Sequence, residues 1–308
     1  MATAAGKKSL ARTQRAAQLL TVRLAFGVFE RLAPGLGARW AAHLWFSVPA
    51  PSKGRGNLPL GDRFELPIDG GRIVGEFWGA GPVVILMHGW GGRRGDFAAM
   101  IDPLVAGGYR VVAFDAPGHG ESDAGSAGRG KSTIPQFSDA LSAVCQAFGP
   151  SEAVIAHSLG CMAAAVSVRN GAAVPRLVLI APMAQVRPYT LVFARRLGFG
   201  ERILSGMTAR IERRVGSPLS TFDIPAMARI MATPPVLLVH DHDDSETTFS
   251  DSVAISEAWS PATLVATTGR GHRRILQDST VLQEILSFVG GGPLLVAEDR
   301  SHIAPAAT

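Results

Sequence analysis

Residues 154–160 read Val-Ile-Ala-His-Ser-Leu-Gly, and this stretch decides which fold the chain can adopt. The apolar residues before the serine are typical of a buried strand, and a helical stretch follows it. A serine at such a strand-to-helix corner projects its hydroxyl above the edge of the sheet. Only small side chains fit two positions to either side, and Ala156 and Gly160 meet this condition. The stretch therefore predicts a nucleophile, Ser158, at the carboxyl end of a buried strand.

Two glycine-rich loops precede this corner in the chain. HGWGG, residues 88–92, follows the apolar run VVILM, and DAPGHGES, residues 115–122, follows a second strand-like run. A loop of this kind can direct backbone N–H groups at a developing negative charge, and acyl transfer needs two such donors. We expect this oxyanion hole to consist of the backbone N–H groups of Trp90 and Leu159.

Short apolar runs alternate with helical stretches from about residue 62 onward. The alternation predicts an α/β fold with a mostly parallel central sheet and helices on both faces. The first two strands, joined by Asp69-Gly70-Gly71, are expected to form an antiparallel hairpin. The predicted strands are residues 63–67, 73–78, 83–88, 110–115, 153–156, 177–180, 236–240 and 264–267, with helices near 96–106, 135–148, 159–170 and 279–289.

HGWGG, DAPGHGES and AHSLG, in this order and spacing, resemble the α/β-hydrolase superfamily in its esterase/lipase-like branch, over roughly residues 62–290. The resemblance implies a catalytic triad in the chain order serine, acid, histidine. His272, after Gly271, matches the family's base. Counting from His240 gives Asp244 as the acid. Asp241 stands where the family usually has glycine, so Asp243 remains a rival.

These residues predict a serine hydrolase that cleaves a carboxylic ester or thioester of a small-molecule acyl substrate through an acyl-serine intermediate. An acyltransferase, a peptidase or a C–C hydrolase could use the same triad, and a catalytically silent binding protein could keep the fold. Four other histidines, His119, His157, His240 and His242, are expected to be structural. The His and Asp residues at 240–244 could suggest a metal site. The resemblance explains them better, so we expect no metal and no cofactor.

Three regions are expected along the chain. Residues 1–60 form an N-terminal helical extension and linker, with helices at 8–33 and 36–46 and a linker at 49–57. Residues 61–290 form the α/β-hydrolase domain. Within it, the arginine-rich residues 185–233 are too long for an ordinary connection, so we interpret them as a helical lid. Residues 291–308 are small and polar and are expected to be a disordered tail.

The positive charge of the chain is concentrated at one end. Nine Lys or Arg against one Glu give residues 1–60 a net charge of +8, whereas the whole chain carries +5. Arginines interrupt the apolar runs, so neither a transmembrane span nor a signal peptide is expected. Residues 1–48 could contact a membrane surface or pack on the domain through an apolar face, and packing is favoured. That face contains Leu20, Leu24, Phe26, Phe29, Trp40 and Trp45.

Composition limits the compartment and the partners. The chain has two cysteines, Cys145 and Cys161, which fits a reducing compartment better than a disulfide framework. We therefore expect a cytoplasmic protein, peripheral at the membrane if residues 1–48 bind lipid. The basic residues are not interleaved with stacking aromatic residues, so nucleic-acid binding is not expected. The sequence does not indicate an oligomeric state.

Overall fold

The computed structural model describes residues 4–49 and 58–293, with the backbone alone for residues 4–13 and 15. The predicted linker, apart from Pro49, and the predicted tail beyond residue 293 lie outside the described residues. The described chain falls into two compact units. The larger unit comprises residues 48–184 and 222–308, and the smaller unit comprises residues 1–47 and 185–221, each within the described ranges.

The larger unit contains an eight-stranded sheet, and each predicted apolar run forms one of its strands. Strands β1 and β2 form the expected antiparallel hairpin, β2 also pairs antiparallel with β4, and all other pairs are parallel. The strand order is β1-β2-β4-β3-β5-β6-β7-β8. The strands are β1 Asp62–Ile68, β2 Gly71–Trp78, β3 Val83–Met87, β4 Arg110–Phe114, β5 Ser151–His157, β6 Leu177–Ile180, β7 Val236–Asp241 and β8 Ala262–Thr267.

Helices cover both faces of this sheet, as predicted. On one face, Phe97, beside α3, and Ile285 of α11 join Leu86 and Ile155 in a single apolar cluster. On the other, α4 and α5 pack against each other, and both contact β3. The strands between the two layers of helices are apolar on both faces, because the helices remove both faces of the sheet from water. The helices of this unit are α3 Ala98–Ala106, α4 Ile134–Phe148, α5 Leu159–Arg169, α8 Ile224–Ala228, α9 Phe249–Ala258, α10 Gly271–Arg274 and α11 Ser279–Val289.

The smaller unit is helical and joins two segments that are distant in sequence. Helices α1 Ala4–Leu32 and α2 Pro34–Trp45 come from the N-terminal segment, and α6 Val186–Leu197 and α7 Glu201–Val215 come from the predicted lid. Residues 222–233, which we also expected in the lid, cluster with the sheet instead. No helix in the described ranges is long and apolar enough to cross a membrane.

Close packing of α2 on α7 holds the smaller unit together. A Cβ atom on Gly206 would lie 2.7 Å from the Cβ of Ala38, so glycine permits the two backbones to approach. Aromatic rings of α1, α2 and α6 also pack against one another within this unit. Phe26 is fully buried and stacks on Trp40 with ring centroids 4.4 Å apart, and Trp45 meets Phe193 edge-on at 5.3 Å.

The predicted apolar face of residues 1–48 is therefore divided. Phe26 is enclosed within the smaller unit, whereas Leu20 and Leu24 of the same helix are exposed. Packing of the N-terminal helices on α6 and α7 explains why aromatic residues of this face are removed from water. It does not explain the presence of Leu20 and Leu24, which remain exposed.

Glu30 links the two segments electrostatically. Its carboxylate accepts hydrogen bonds from the backbone N–H groups of Gly200, Arg202 and Ile203, at 3.0, 3.0 and 3.3 Å. These N–H groups open α7 and have no acceptor within the helix. A carboxylate there also interacts favourably with the positive end of the helix dipole. Glu30 thus caps a helix that begins about 170 residues later in the chain.

We expect the Glu30→Ala variant to lower the free energy of unfolding by about 2 kcal/mol, because several hydrogen bonds to one charged group are lost. Glu201→Ala is the matched control, since Glu201 lies exposed in the first turn of the same helix. That control should cost about 0.5 kcal/mol. Urea unfolding of both variants measures the difference, and equal losses would contradict the capping role.

Candidate active site

Ser158 lies at the corner between β5 and α5. Its φ is +54°, which is rare for a residue with a side chain and indicates local strain. The corner is crowded: a Cβ on Gly160 would lie 2.6 Å from the carbonyl oxygens of Met87 and His88. A Cβ on Gly89 would lie 2.6 Å from the Cβ of Ser158. Small residues are therefore required where the glycine-rich loop passes the serine.

His272 and Asp244 come together from two loops that follow neighbouring strands. The Nδ1 atom of His272 lies 2.7 Å from Oδ2 of Asp244. Both side chains are buried. Asp243, the rival acid, points elsewhere, and its Oδ2 accepts a hydrogen bond from the backbone N–H of Gly269 at 2.9 Å. The structure thus brings Asp244, and not Asp243, against His272.

The surroundings of Asp244 keep it ionised. Burial alone would raise the pKa of this carboxyl, but hydrogen bonds from His240, His272 and the backbone of Thr247 outweigh it. The Thr247 N–H donates to Oδ1 at 3.0 Å, and the Thr247 hydroxyl lies 3.1 Å from Oδ2. The pKa of Asp244 is therefore held well below its ordinary value. A carboxylate at this position can stabilise a positive charge on His272.

Asp241, at the position where the family usually has glycine, connects the two loops. Its Oδ2 accepts from the Thr267 hydroxyl at 2.6 Å and from the Arg270 N–H at 2.9 Å. Its Oδ1 accepts from the N–H of Asp243 at 3.0 Å. Burial opposes ionisation, but these hydrogen bonds lower the pKa of Asp241 below its ordinary value. Asp241 therefore ties the loop that carries the acid to the loop that carries His272.

His119 fixes the shape of the loop HGWGG, which agrees with the structural role expected for it. The N–H of Gly91 donates to Nε2 of His119 at 3.0 Å, so this nitrogen must be unprotonated. Burial lowers the pKa of His119 to about 3, which keeps the ring neutral. The N–H of Gly92 closes the turn by donating to the carbonyl of Gly89 at 3.0 Å. These bonds set the backbone on both sides of Trp90.

His157, beside the nucleophile, supports the base. Its Nε2 lies 2.8 Å from the backbone carbonyl of His272, to which it donates. Burial lowers the pKa of His157 to about 3. A neutral ring at this position can hold the His272 loop without placing a second positive charge beside it. The interaction agrees with the expected structural role, and we assign His157 no part in proton transfer.

Leu159 is the first residue of α5, so its N–H lies in the first turn, where a helix offers no internal acceptor. Gly89 and Trp90 border the same cavity as Ser158 and His272. The cavity has a volume of about 180 Å³. Its other lining residues are Gly92, Asp96, His157, Arg273, Leu276 and Gln277.

Arg94, two residues after HGWGG, is buried, which the sequence analysis did not predict. The guanidinium of Arg94 contacts the carboxylates of Glu76, Asp115 and Glu121, and the Arg94 N–H donates to Oδ1 of Asp115 at 2.8 Å. Asp115 also accepts from the N–H of Glu121 at 2.9 Å. The first residue of DAPGHGES therefore anchors the loop that follows HGWGG. Within the described ranges, no cluster of three His, Cys, Asp or Glu residues could hold a metal ion.

Comparison with known proteins agrees with this architecture. A family model described as the alpha/beta hydrolase fold matches residues 82–200. An esterase from Exiguobacterium antarcticum superposes with a TM-score of 0.57 at 17% identity, over 75% of this chain and 100% of that chain. The fold that the sequence motifs predicted is confirmed.

Curated relatives match parts of the sequence. A dihydrolipoyllysine-residue acetyltransferase component of an acetoin cleaving system, from Cupriavidus necator, is 29% identical over 165 residues, which are 53% of this chain and 39% of that protein. A lysophosphatidylserine lipase from Danio rerio is 30% identical over 187 residues, which are 56% of this chain and 46% of that protein. The chain thus spans less than half the length of these relatives.

Proposed function

We propose that this chain, a protein of the α/β-hydrolase fold similar to esterases and lipases, is a serine hydrolase that cleaves a carboxylic ester or thioester through an acyl-serine intermediate. One observation carries the proposal. His272, whose Nδ1 lies 2.7 Å from the buried carboxylate of Asp244, lines the same cavity as the strained Ser158. A nucleophile, a base and a group that orients the base are the three parts that acyl transfer from a serine requires.

In the proposed acylation, the Ser158 hydroxyl attacks the substrate carbonyl while His272 takes its proton. Asp244 accepts the Nδ1–H of His272, which fixes the tautomer and stabilises the imidazolium. The carbonyl electron pair moves onto oxygen, where the N–H groups of Trp90 and Leu159 stabilise the negative charge. The tetrahedral intermediate then collapses, and His272 returns the proton to the departing alcohol or thiol.

Deacylation repeats these steps with water. His272 takes a proton from the water that attacks the acyl-serine, and Ser158 leaves with that proton restored. If an alcohol or amine replaces water, the same residues perform acyl transfer. A catalytically silent binding protein would need no paired acid and base, so the Asp244–His272 contact argues against that alternative.

We further infer a cytoplasmic setting. Cys145 and Cys161 are both free thiols, which is typical of a reducing compartment. The proposed substrate is a small acyl compound.

A panel of p-nitrophenyl esters and acyl-CoA thioesters tests the proposed function. Pockets for drug-sized ligands are about 300–1,000 Å³, and the cavity at Ser158 is smaller, at about 180 Å³. We therefore expect higher kcat/KM for acetyl and butyryl substrates than for dodecanoyl substrates. Adding an alcohol acceptor separates hydrolysis from acyl transfer, because a transferase would form a new ester. Absence of turnover across both panels would contradict the proposal.

A further inference from the structure

A row of exposed apolar side chains runs along α1. Leu20, Leu24, Val28 and Leu32 recur at every fourth residue and are 59%, 65%, 55% and 80% exposed. Residues four apart lie on one side of a helix, so the four side chains form a ridge, here called the leucine ridge, about 18 Å long. The buried Phe26 lies on a different side of the same helix. The leucine ridge is thus a second apolar face that packing within the smaller unit leaves in water.

Exposed apolar residues are concentrated in the smaller unit. The described residues include nine large apolar side chains that are exposed, and seven of them belong to this unit. Besides the leucine ridge, they are Leu36 of α2 and the adjacent Leu191 and Val192 of α6. The two others, Leu60 and Ile230, belong to the larger unit. The four side chains of the leucine ridge are neighbours on one helix, and a contiguous exposed apolar patch is typical of an interaction surface.

The smaller unit is also strongly cationic. Residues 1–47 and 185–221 contain fourteen Lys or Arg and three Glu, for a net charge of +11. Because the whole chain carries +5, the remaining residues carry −6. Two of the three glutamates are engaged internally: Glu30 caps α7, and Glu212 accepts from the N–H of Leu219 at 2.9 Å. The exposed charge is therefore almost entirely positive.

Exposed arginines occur on both segments that contribute exposed apolar residues. Arg23 and Arg31 lie exposed on α1 among the residues of the leucine ridge, and Arg195 and Arg196 lie exposed near the end of α6. A helix that combines exposed leucines with exposed arginines suits the interface of a bilayer, where the leucines enter the acyl boundary and the arginines meet lipid phosphates. Anionic headgroups attract such residues further.

We propose that the smaller unit docks on an anionic lipid bilayer through the leucine ridge and the exposed arginines of α1 and α6. The proposal is independent of the hydrolase chemistry, because none of these residues lines the cavity at Ser158. Charge favours a bilayer over a second copy of the chain. Two units of +11 repel each other, whereas an anionic surface neutralises the charge.

Vesicle co-sedimentation of the full chain tests the proposal. We expect binding to vesicles of phosphatidylglycerol and phosphatidylcholine and much weaker binding to phosphatidylcholine alone. Raising NaCl from about 0.1 M to about 1 M shortens the Debye length from about 10 to about 3 Å and should weaken binding strongly. The Leu20→Ser/Leu24→Ser variant should bind at least about tenfold more weakly, since the apolar contribution of two leucines is lost. The control variant is Leu60→Ser/Ile230→Ser, which replaces exposed apolar residues of the larger unit. It should bind the vesicles as tightly as the unsubstituted chain does.

The arginine contribution is tested separately, so the result does not depend on one variant. Replacing Arg195 and Arg196 with Gln should weaken binding about fivefold for each arginine. Arg129→Gln/Arg229→Gln, exposed arginines of the larger unit, is the control and should have no effect. Turnover of a short p-nitrophenyl ester should be unchanged in all four variants, which shows that they fold.

Three results would overturn the proposal. They are absence of binding to the anionic vesicles, equal loss of binding in the control variants, and equal binding to neutral and anionic vesicles. Sedimentation velocity without lipid adds a fourth. A dimer that the Leu20→Ser/Leu24→Ser variant abolishes would assign the leucine ridge to a second copy of the chain instead.

Discussion

The Asp244→Asn variant should lower kcat for ester hydrolysis about 10⁴-fold, the loss that follows the same substitution in a serine protease. The Oδ2 atom of Asp244 accepts from Nδ1 of His272 at 2.7 Å. An asparagine amide can present N–H groups at that position and stabilise the wrong tautomer of the histidine. Its nitrogen also cannot balance the charge of an imidazolium. Steady-state kinetics on a p-nitrophenyl ester measures the loss.

Asp243→Asn is the matched control, because the two residues are adjacent and chemically identical. Asp243 accepts from the backbone of Gly269 and lies outside the contact with His272. We expect kcat to fall by less than about tenfold, a barrier change of under about 1.4 kcal/mol. If Asp243→Asn is the inactive variant, or if Asp244→Asn keeps activity close to that of the unsubstituted chain, the assignment of the acid is wrong.

The Ser158→Ala variant should lower kcat by about 10⁶-fold, the loss that removal of the nucleophile causes in a serine protease. No other group in the mechanism can form the acyl intermediate. The thermal midpoint should be nearly unchanged, because alanine keeps the Cβ that the crowded corner already accommodates. Hydrolysis that persists in this variant would require a different nucleophile. Loss of activity together with loss of the folding transition would indicate a structural role for Ser158 instead.

The sheet could be predicted because its strands are covered on both faces. A strand such as β3, Val83–Met87, must be apolar throughout, and this produces a continuous run that surface strands do not have. The corner at Ser158 was recognisable for a related reason. The backbone at this corner passes close to the glycine-rich loop, so the neighbouring positions accept only small residues. Gly160 is one of these residues, and it can be identified from the sequence.

The orientation of α1 could not be predicted, because that helix is apolar on more than one side. Phe26 and Leu24 are equally apolar in sequence, yet Phe26 is fully buried and Leu24 is 65% exposed. What selects between the two sides is the packing of α1 against α2, α6 and α7, and the last two helices come more than 150 residues later in the chain. The interaction of Glu30 with α7 is hidden for the same reason.

The burial of charged side chains was the other feature that could not be predicted from the sequence. Arg94 follows Arg93 in a polar stretch that is typical of a surface loop, but it is buried against the carboxylates of Glu76 in β2 and of Asp115 and Glu121 in a single loop. In the sequence, Asp241 differs from its neighbours only as a departure from the family's usual glycine. Its function as a connection between two loops depends on Thr267 and Arg270, which no local pattern relates to it.

Labelling with a fluorophosphonate, followed by mass spectrometry of the peptides, tests the central claim most directly. The probe reacts with a serine only when a neighbouring base activates the hydroxyl, so it reports nucleophile and base together. We predict a single labelled serine, Ser158, with labelling lost in Ser158→Ala and strongly reduced in His272→Ala. Labelling of a different serine, or labelling of Ser158 that is unaffected by His272→Ala, would contradict the account.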